Sequence, residues 1–247
     1  MLSKLDDSAL TDTALIRCAV YWVPCRGHPL WRAGCEWLGR DPEQPRVPVR
    51  LAAPHELTRE PRRYGFHATL KAPMRLREGR HIDAFSTALA TLASAHEAFV
   101  MPTLELGWLS NFLALRPSQE IEAAHPLRCL ADACVRSLET WREPLTAAEL
   151  ARHAARAGAD DVERRKRTQR WGYPHVFDHW RFHLTLSIPL PEYSAGVRRS
   201  VEALAREHFA PVLAVPLMCD ELALFVEPAA GDDFVLVQRF RLRAATR

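Results

Sequence analysis

The sequence predicts an α+β protein: two pseudo-symmetric lobes of antiparallel sheet plus helices around a central cleft. Three observations predict it. Strand-like and helix-like segments follow one another in the order β-α-β-α-β-β, then helices, then β-α-β-β. The string Phe-His-x-Thr-Leu occurs twice, at residues 66–70 and 182–186. Each copy precedes a helix and then a hairpin, as a divergent internal duplication would arrange them. The 247 residues, 48% hydrophobic and 26% charged, suffice for one domain over 1–247 that buries a core without disulfides or metal. The lobes are expected over about 14–116 and 171–243, with a helical connection over 118–170.

Residues 14–23 are rich in β-branched and aromatic types and read as a buried strand, closed by Pro24, Gly27 and Pro29. A helix follows over about 30–38, with Gly39 at its C-terminal cap. Five prolines (Pro42, Pro45, Pro48, Pro54, Pro61) make 41–61 a loop. A strand is expected over 63–72. The spacing of Ile82, Phe85, Leu89 and Leu92 predicts a helix within 80–98. Residues 99–109 and 111–116 read as a hairpin turning near Ser110-Asn111.

Residues 119–141 have helical spacing. Thr146, with Glu149 three residues on, forms a capping box that opens a helix over 146–157. The charged stretch 160–170 is a further helix. A strand is expected over 179–190, a helix over 195–209, and strands over 215–226 and 233–243, joined by a turn at 228–232.

The net charge of +3 suits an anionic ligand and is too weak to argue for nucleic acid by itself. Six cysteines, at 18, 25, 35, 129, 134 and 219, form no Cys-x-x-Cys pair. They read as small apolar side chains in a reducing compartment. No basic-then-apolar leader is visible, and the apolar run near residues 14–24 is short and broken by Arg17, so a cytoplasmic protein without membrane contact is expected.

Chemistry concentrates in the repeated string. Alternation along a strand puts His67, Thr69 and Lys71 on one face and Phe66, Ala68 and Leu70 on the other. The second copy repeats this, with Arg181, His183, Thr185 and Ser187 facing one way and Phe182, Leu184 and Leu186 the other. An imidazole near neutrality can serve as acid or base, and two of them serve as both. Thr69, Thr185, Lys71 and Arg181 are the expected holders of phosphate oxygens. Arg63 is expected on the His67 face. Tyr64 lies opposite by strict alternation unless Gly65 breaks the register.

The two motifs resemble those of the two-histidine (2H) phosphoesterase superfamily. The longer strings YGFHATLKAP and WGYPHVFDHWRFHLTLS are similar to the branch found beside carbon–phosphorus lyase genes. The resemblance implies His67 and His183 as the acid–base pair and Thr69 and Thr185 as phosphate ligands. It also implies a metal-independent, cofactor-free cyclic phosphodiesterase. Its implied substrate is a small cyclic ribose phosphate from phosphonate breakdown, 5-phosphoribosyl 1,2-cyclic phosphate. One departure is Ser187-Ile188 where that branch usually has a glycine after the second motif.

The alternatives are an RNA 2′,3′-cyclic or 2′–5′ phosphodiesterase, and a non-catalytic module binding RNA or a phosphorylated ligand. His175 and His179, flanking Asp178, have the spacing of a metal pair on a helix, but Pro174 opposes a helix and no third ligand is evident, so no metal site is expected. The basic run 163–170 reads as a solvated helix face. Trp31, Trp37, Trp108, Trp141 and Trp171 read as core. Oligomeric state is not fixed by the sequence.

Overall fold

The computed structural model describes residues 17–157, 161–191 and 195–244. Residues 1–16, on which the reading of the N-terminus and the start of the first expected strand rest, lie outside the described residues, as does 160. The architecture is mixed α+β with three small antiparallel sheets.

The first sheet has the order β2-β1-β8-β9, from Ala68–Arg75, Arg17–Trp22, Glu221–Glu227 and Val235–Arg241. The second pairs β3 (Phe99–Val100) with β7 (Met218–Cys219). The third has the order β4-β5-β6, from Leu104–Leu109, Phe112–Pro117 and Leu184–Thr185. All three sheets take strands from both sides of the helical connection. The hairpin that follows the second motif completes the sheet of the first, and the hairpin that follows the first motif holds the strand of the second.

Helices α1 (Pro29–Leu38), α2 (His55–Tyr64), α3 (Ile82–Ser94), α4 (Pro126–Ser137), α5 (Ala147–Ala157), α6 (Val162–Trp171) and α7 (Ala195–Leu213) fill the connections. Helix α1 opens with Pro29 in its first turn and ends at Gly39 in the left-handed region (φ 66°), the proline-in, glycine-out arrangement. The Thr146–Glu149 capping box forms as expected. The Thr146 Oγ1 accepts the Glu149 N–H at 3.3 Å, and the Glu149 Oε2 accepts the Thr146 N–H at 2.8 Å.

Four expectations are corrected. Residues 55–64 are helix α2 rather than loop. Pro61 lies inside it and cannot donate to the carbonyl of Leu57 four residues earlier. That carbonyl instead accepts the N–H of Ile188 at 2.7 Å, tying α2 to the chain just after β6. The run 99–109 is two strands in two sheets, broken at Pro102. The run 215–226 likewise breaks at Asp220. Within 179–190 only Leu184–Thr185 is strand, preceded by a 3-10 turn at Phe177–His179.

The core holds Phe66, Ala68 and Leu70 with Phe182, Leu184 and Leu186, the apolar faces of both motifs. Trp31 and Trp37 are buried, while Trp108, Trp141 and Trp171 are half-buried. Cys18, Cys35, Cys134 and Cys219 are buried, and Cys129 is exposed. Among the described residues no helix is long and apolar enough to cross a membrane.

Candidate active site

His67 and His183 each stand one residue before an edge strand, β2 and β6, and both line a single cavity of about 590 Å³. The two rings are held alike. His67 Nδ1 is 2.8 Å from the carbonyl of Gly65, and His183 Nδ1 is 2.8 Å from the carbonyl of Arg181. A carbonyl only accepts, so each Nδ1 carries the proton and each neutral ring keeps its lone pair at Nε2. The turn that brings the Gly65 carbonyl under its histidine needs φ +78°, a left-handed value that glycine adopts without strain.

Thr69 Oγ1 donates to His67 Nε2 at 3.3 Å. Thr185, opposite Ala114 on β5, lines the same cavity. Tyr21 stacks on His67, with ring centroids 3.7 Å apart and 23° between planes. Burial pushes the His67 imidazole down to about 4, opposed by the Gly65 carbonyl and helped by the positive charge of His183. Burial also holds His183 below the usual histidine range, against the Arg181 carbonyl.

Tyr64 and Arg63 line the cavity from the end of α2, not from a strand. Two expected cations do not reach it. Lys71 is buried, donating to Glu139 Oε2 at 2.6 Å and to the Val135 carbonyl at 3.2 Å. The cause is a bulge: Tyr21 pairs with Thr69 but the adjacent Val20 pairs with Lys71, so one extra β2 residue turns Lys71 off the Thr69 face. Arg181 is exposed and folds back onto the carbonyls of Asp178 and Trp180, both at 2.9 Å. What Arg181 supplies to the site is its own carbonyl. Ser187 lines the cavity, with its Oγ accepting the Leu113 N–H at 2.9 Å and donating to the Ile188 carbonyl at 2.8 Å.

Several cavity residues went unread in the sequence. Arg17 and Tyr21 lie four apart on β1, and alternation alone puts them on one face. Glu149, Arg152 and His153 have i, i+3, i+4 spacing on α5, so the capping-box helix presents one face to the cavity. Glu149 grips Arg75 through both oxygens, at 2.5 and 2.9 Å, and that guanidinium holds the Glu149 carboxyl down to about 2. Buried Arg142 and half-buried Tyr173 complete that side, from the helical connection and the loop after it. The lining carries five arginines against three glutamates, so the cavity favours an anion.

His175 and His179 are exposed. Among the described residues no group of three His, Cys, Asp or Glu side chains is placed to hold a metal ion. In the basic run, Arg167 Nε donates to the Pro174 carbonyl at 3.0 Å and Lys166 pairs with Glu163 at 2.8 Å.

The profile of a family described as "Protein of unknown function (DUF1045)" matches residues 69–235. The "Ribose 1,5-bisphosphate phosphokinase PhnN" of Janthinobacterium sp. (strain Marseille) is 36% identical over 238 residues, covering 93% of this chain and 51% of its own length. The protein of the same name from Laribacter hongkongensis (strain HLHK9) is 37% identical over 226 residues, with 90% and 50% covered. This chain spans about half the length of the curated relatives it matches. These matches correct two expectations. The matching family is not the two-histidine phosphoesterase superfamily. The relatives are named as kinases, which transfer a phosphoryl group to an acceptor, and not as diester hydrolases opening a cyclic phosphate or processing RNA.

Proposed function

The chain belongs to the family described as a protein of unknown function, DUF1045, and we propose that its cavity is the sugar-phosphate site of a phosphotransferase. In this reading it binds a phosphorylated ribose and moves protons at the reacting oxygens. One observation carries the reading: two imidazoles with the same tautomer and an unprotonated Nε2 line one basic cavity, each two residues before a threonine. The name of the curated relatives, a kinase of ribose 1,5-bisphosphate, supports a phosphosugar as ligand. The segments on either side of the helical connection act as two lobes of one domain, each contributing one imidazole and one threonine.

Transfer needs a base for the attacking hydroxyl and is helped by an acid on the departing oxygen. His67, neutral over the physiological range, takes the acceptor's proton at Nε2 as the new O–P bond forms. The bond from phosphorus to the departing oxygen breaks, and His183 supplies that oxygen with a proton. A phosphate beside His183 raises its affinity for a proton, since an opposite charge favours the imidazolium. Thr69 and Thr185 hold the non-bridging oxygens.

In this reading the phosphoryl donor is not held by a glycine-rich nucleotide loop. The chain's one Gly-x4-Gly segment, Gly34 to Gly39, continues Arg40-Asp41 and lies on helix α1 and its cap. A nucleotide-cradling loop needs Lys-Ser or Lys-Thr there and a strand before it.

The reading is tested by ³¹P NMR of the protein with ribose 1,5-bisphosphate and a nucleoside triphosphate. Transfer is expected, and His67→Ala or His183→Ala is expected to slow it by about 10²- to 10⁴-fold. Wild-type protein without transfer, or either variant at full rate, overturns it.

A further inference from the structure

Strand β1 runs along the cavity from Arg17 to Tyr21, a span of about 13 Å. At one end Tyr21 pairs with Thr69 and stacks on His67. At the other Arg17 pairs with Arg75 on one side and Glu227 on the other. The histidine end and the arginine end are therefore separated along one cavity.

At the buried base of the arginine end, two guanidiniums share one carboxylate. Glu227 is fully buried and is shared by two guanidiniums, Arg17 through Nε and Arg63 through Nη2. The Gly231 N–H adds a donor at 2.9 Å, so this carboxylate is well satisfied. Arg63 Nε donates to the Asp232 carbonyl at 3.1 Å. Both terminal nitrogens of Arg17 and the Nη1 of Arg63 have no hydrogen-bond partner among the described residues. Both side chains line the cavity, and an aromatic ring supports each: Phe234 lies 5.5 Å from the Arg17 guanidinium carbon and Tyr64 lies 5.5 Å from that of Arg63. Arg75 pairs with Glu149 through both terminal nitrogens, and Glu60 on this wall is exposed.

A buried carboxylate is satisfied by one guanidinium with supporting N–H donors. A second arginine leaves a fixed excess positive charge and oriented donors facing the cavity. We propose that Arg17 and Arg63 form a second anion subsite, which takes a second phosphate on the same sugar whose first phosphate lies beside His67 and His183. The ligand class is then a sugar phosphorylated at two positions. This rests on the reading of the cavity as a phosphosugar site and specifies which phosphosugar it selects.

Titration calorimetry with ribose 1,5-bisphosphate and ribose 5-phosphate tests it. Wild-type protein is expected to bind the bisphosphate at least about ten times more tightly, on the scale of one charge-assisted contact. Arg17→Gln is expected to shrink that ratio to about threefold or less. Arg63→Gln, on a helix outside the sheet, is expected to do the same and covers the case in which Arg17→Gln does not fold. An unchanged preference in a folded variant, or no preference in the wild type, overturns the second subsite and leaves the phosphosugar reading standing. Failure of wild-type protein to bind either sugar overturns both.

Discussion

The ring of Tyr21 lies almost face to face with that of His67, 3.7 Å between centroids. The contact is built by register, because Tyr21 on β1 pairs with Thr69 on β2, two residues after the histidine. The stack fixes the plane of the imidazole and the Gly65 carbonyl fixes its rotation. Together they leave Nε2 as the working nitrogen beside Thr69.

Tyr21→Phe keeps the stack, and its transfer rate is expected to stay within about threefold of wild type. Tyr21→Leu keeps bulk but loses the aromatic face, worth about 0.5–1.5 kcal/mol, so a loss of about 3- to 10-fold is expected. Tyr21 is buried, and Tyr21→Ala is expected to lose about 3–5 kcal/mol of stability. Transfer rates measured beside urea unfolding separate the two effects.

Both histidines titrate lower in the folded protein than unfolded. The unfolded chain therefore binds more protons between the folded value of His67, about 4, and the ordinary value of 6.5. Stability is complete above pH 6.5 and falls as pH drops through that window. His67 contributes on the order of 2 kcal/mol to the fall, reduced by its contact with cavity water. Urea midpoints from pH 7 to 4.5 are expected to decline more steeply in wild type than in His67→Gln. Equal slopes contradict the assignment.

Lys71, Glu139 and Arg142 are all buried, and Glu139 bonds both cations. Glu139→Ala strands two buried charges and is expected to remove about 3–5 kcal/mol. At about 2–4 °C per kcal/mol for a chain of this size, the melting temperature drops by about 10 °C. Lys71→Met leaves the Glu139–Arg142 pair intact and is expected to destabilise less. Scanning calorimetry of the two variants checks the order.

Four residues that line the cavity were legible in the sequence, and most of its wall was not. The repeated string placed both imidazoles and both threonines on one cavity, because their apolar partners had to enter the core. Lys71 escaped because the extra β2 residue of the bulge shows only in the pairing of β2 with β1. Helix α2 escaped because its prolines read as loop, and the acceptor that makes Pro61 tolerable is the distant Ile188 N–H. Arg17, Arg75 and Arg142 are ordinary surface types in a linear reading. Only the packing of α5 against β2 and the pairing of β8 with β1 make them a cavity wall.

The central claim is that two imidazoles attend one phosphosugar. Long-range ¹H–¹⁵N spectra of the histidine side chains, recorded during titration with ribose 1,5-bisphosphate, test it most directly. The expected result is that His67 and His183 both start as the Nδ1–H tautomer and that both Nε2 signals move together, saturating at one equivalent of sugar. Movement of one ring alone, or of neither, contradicts it.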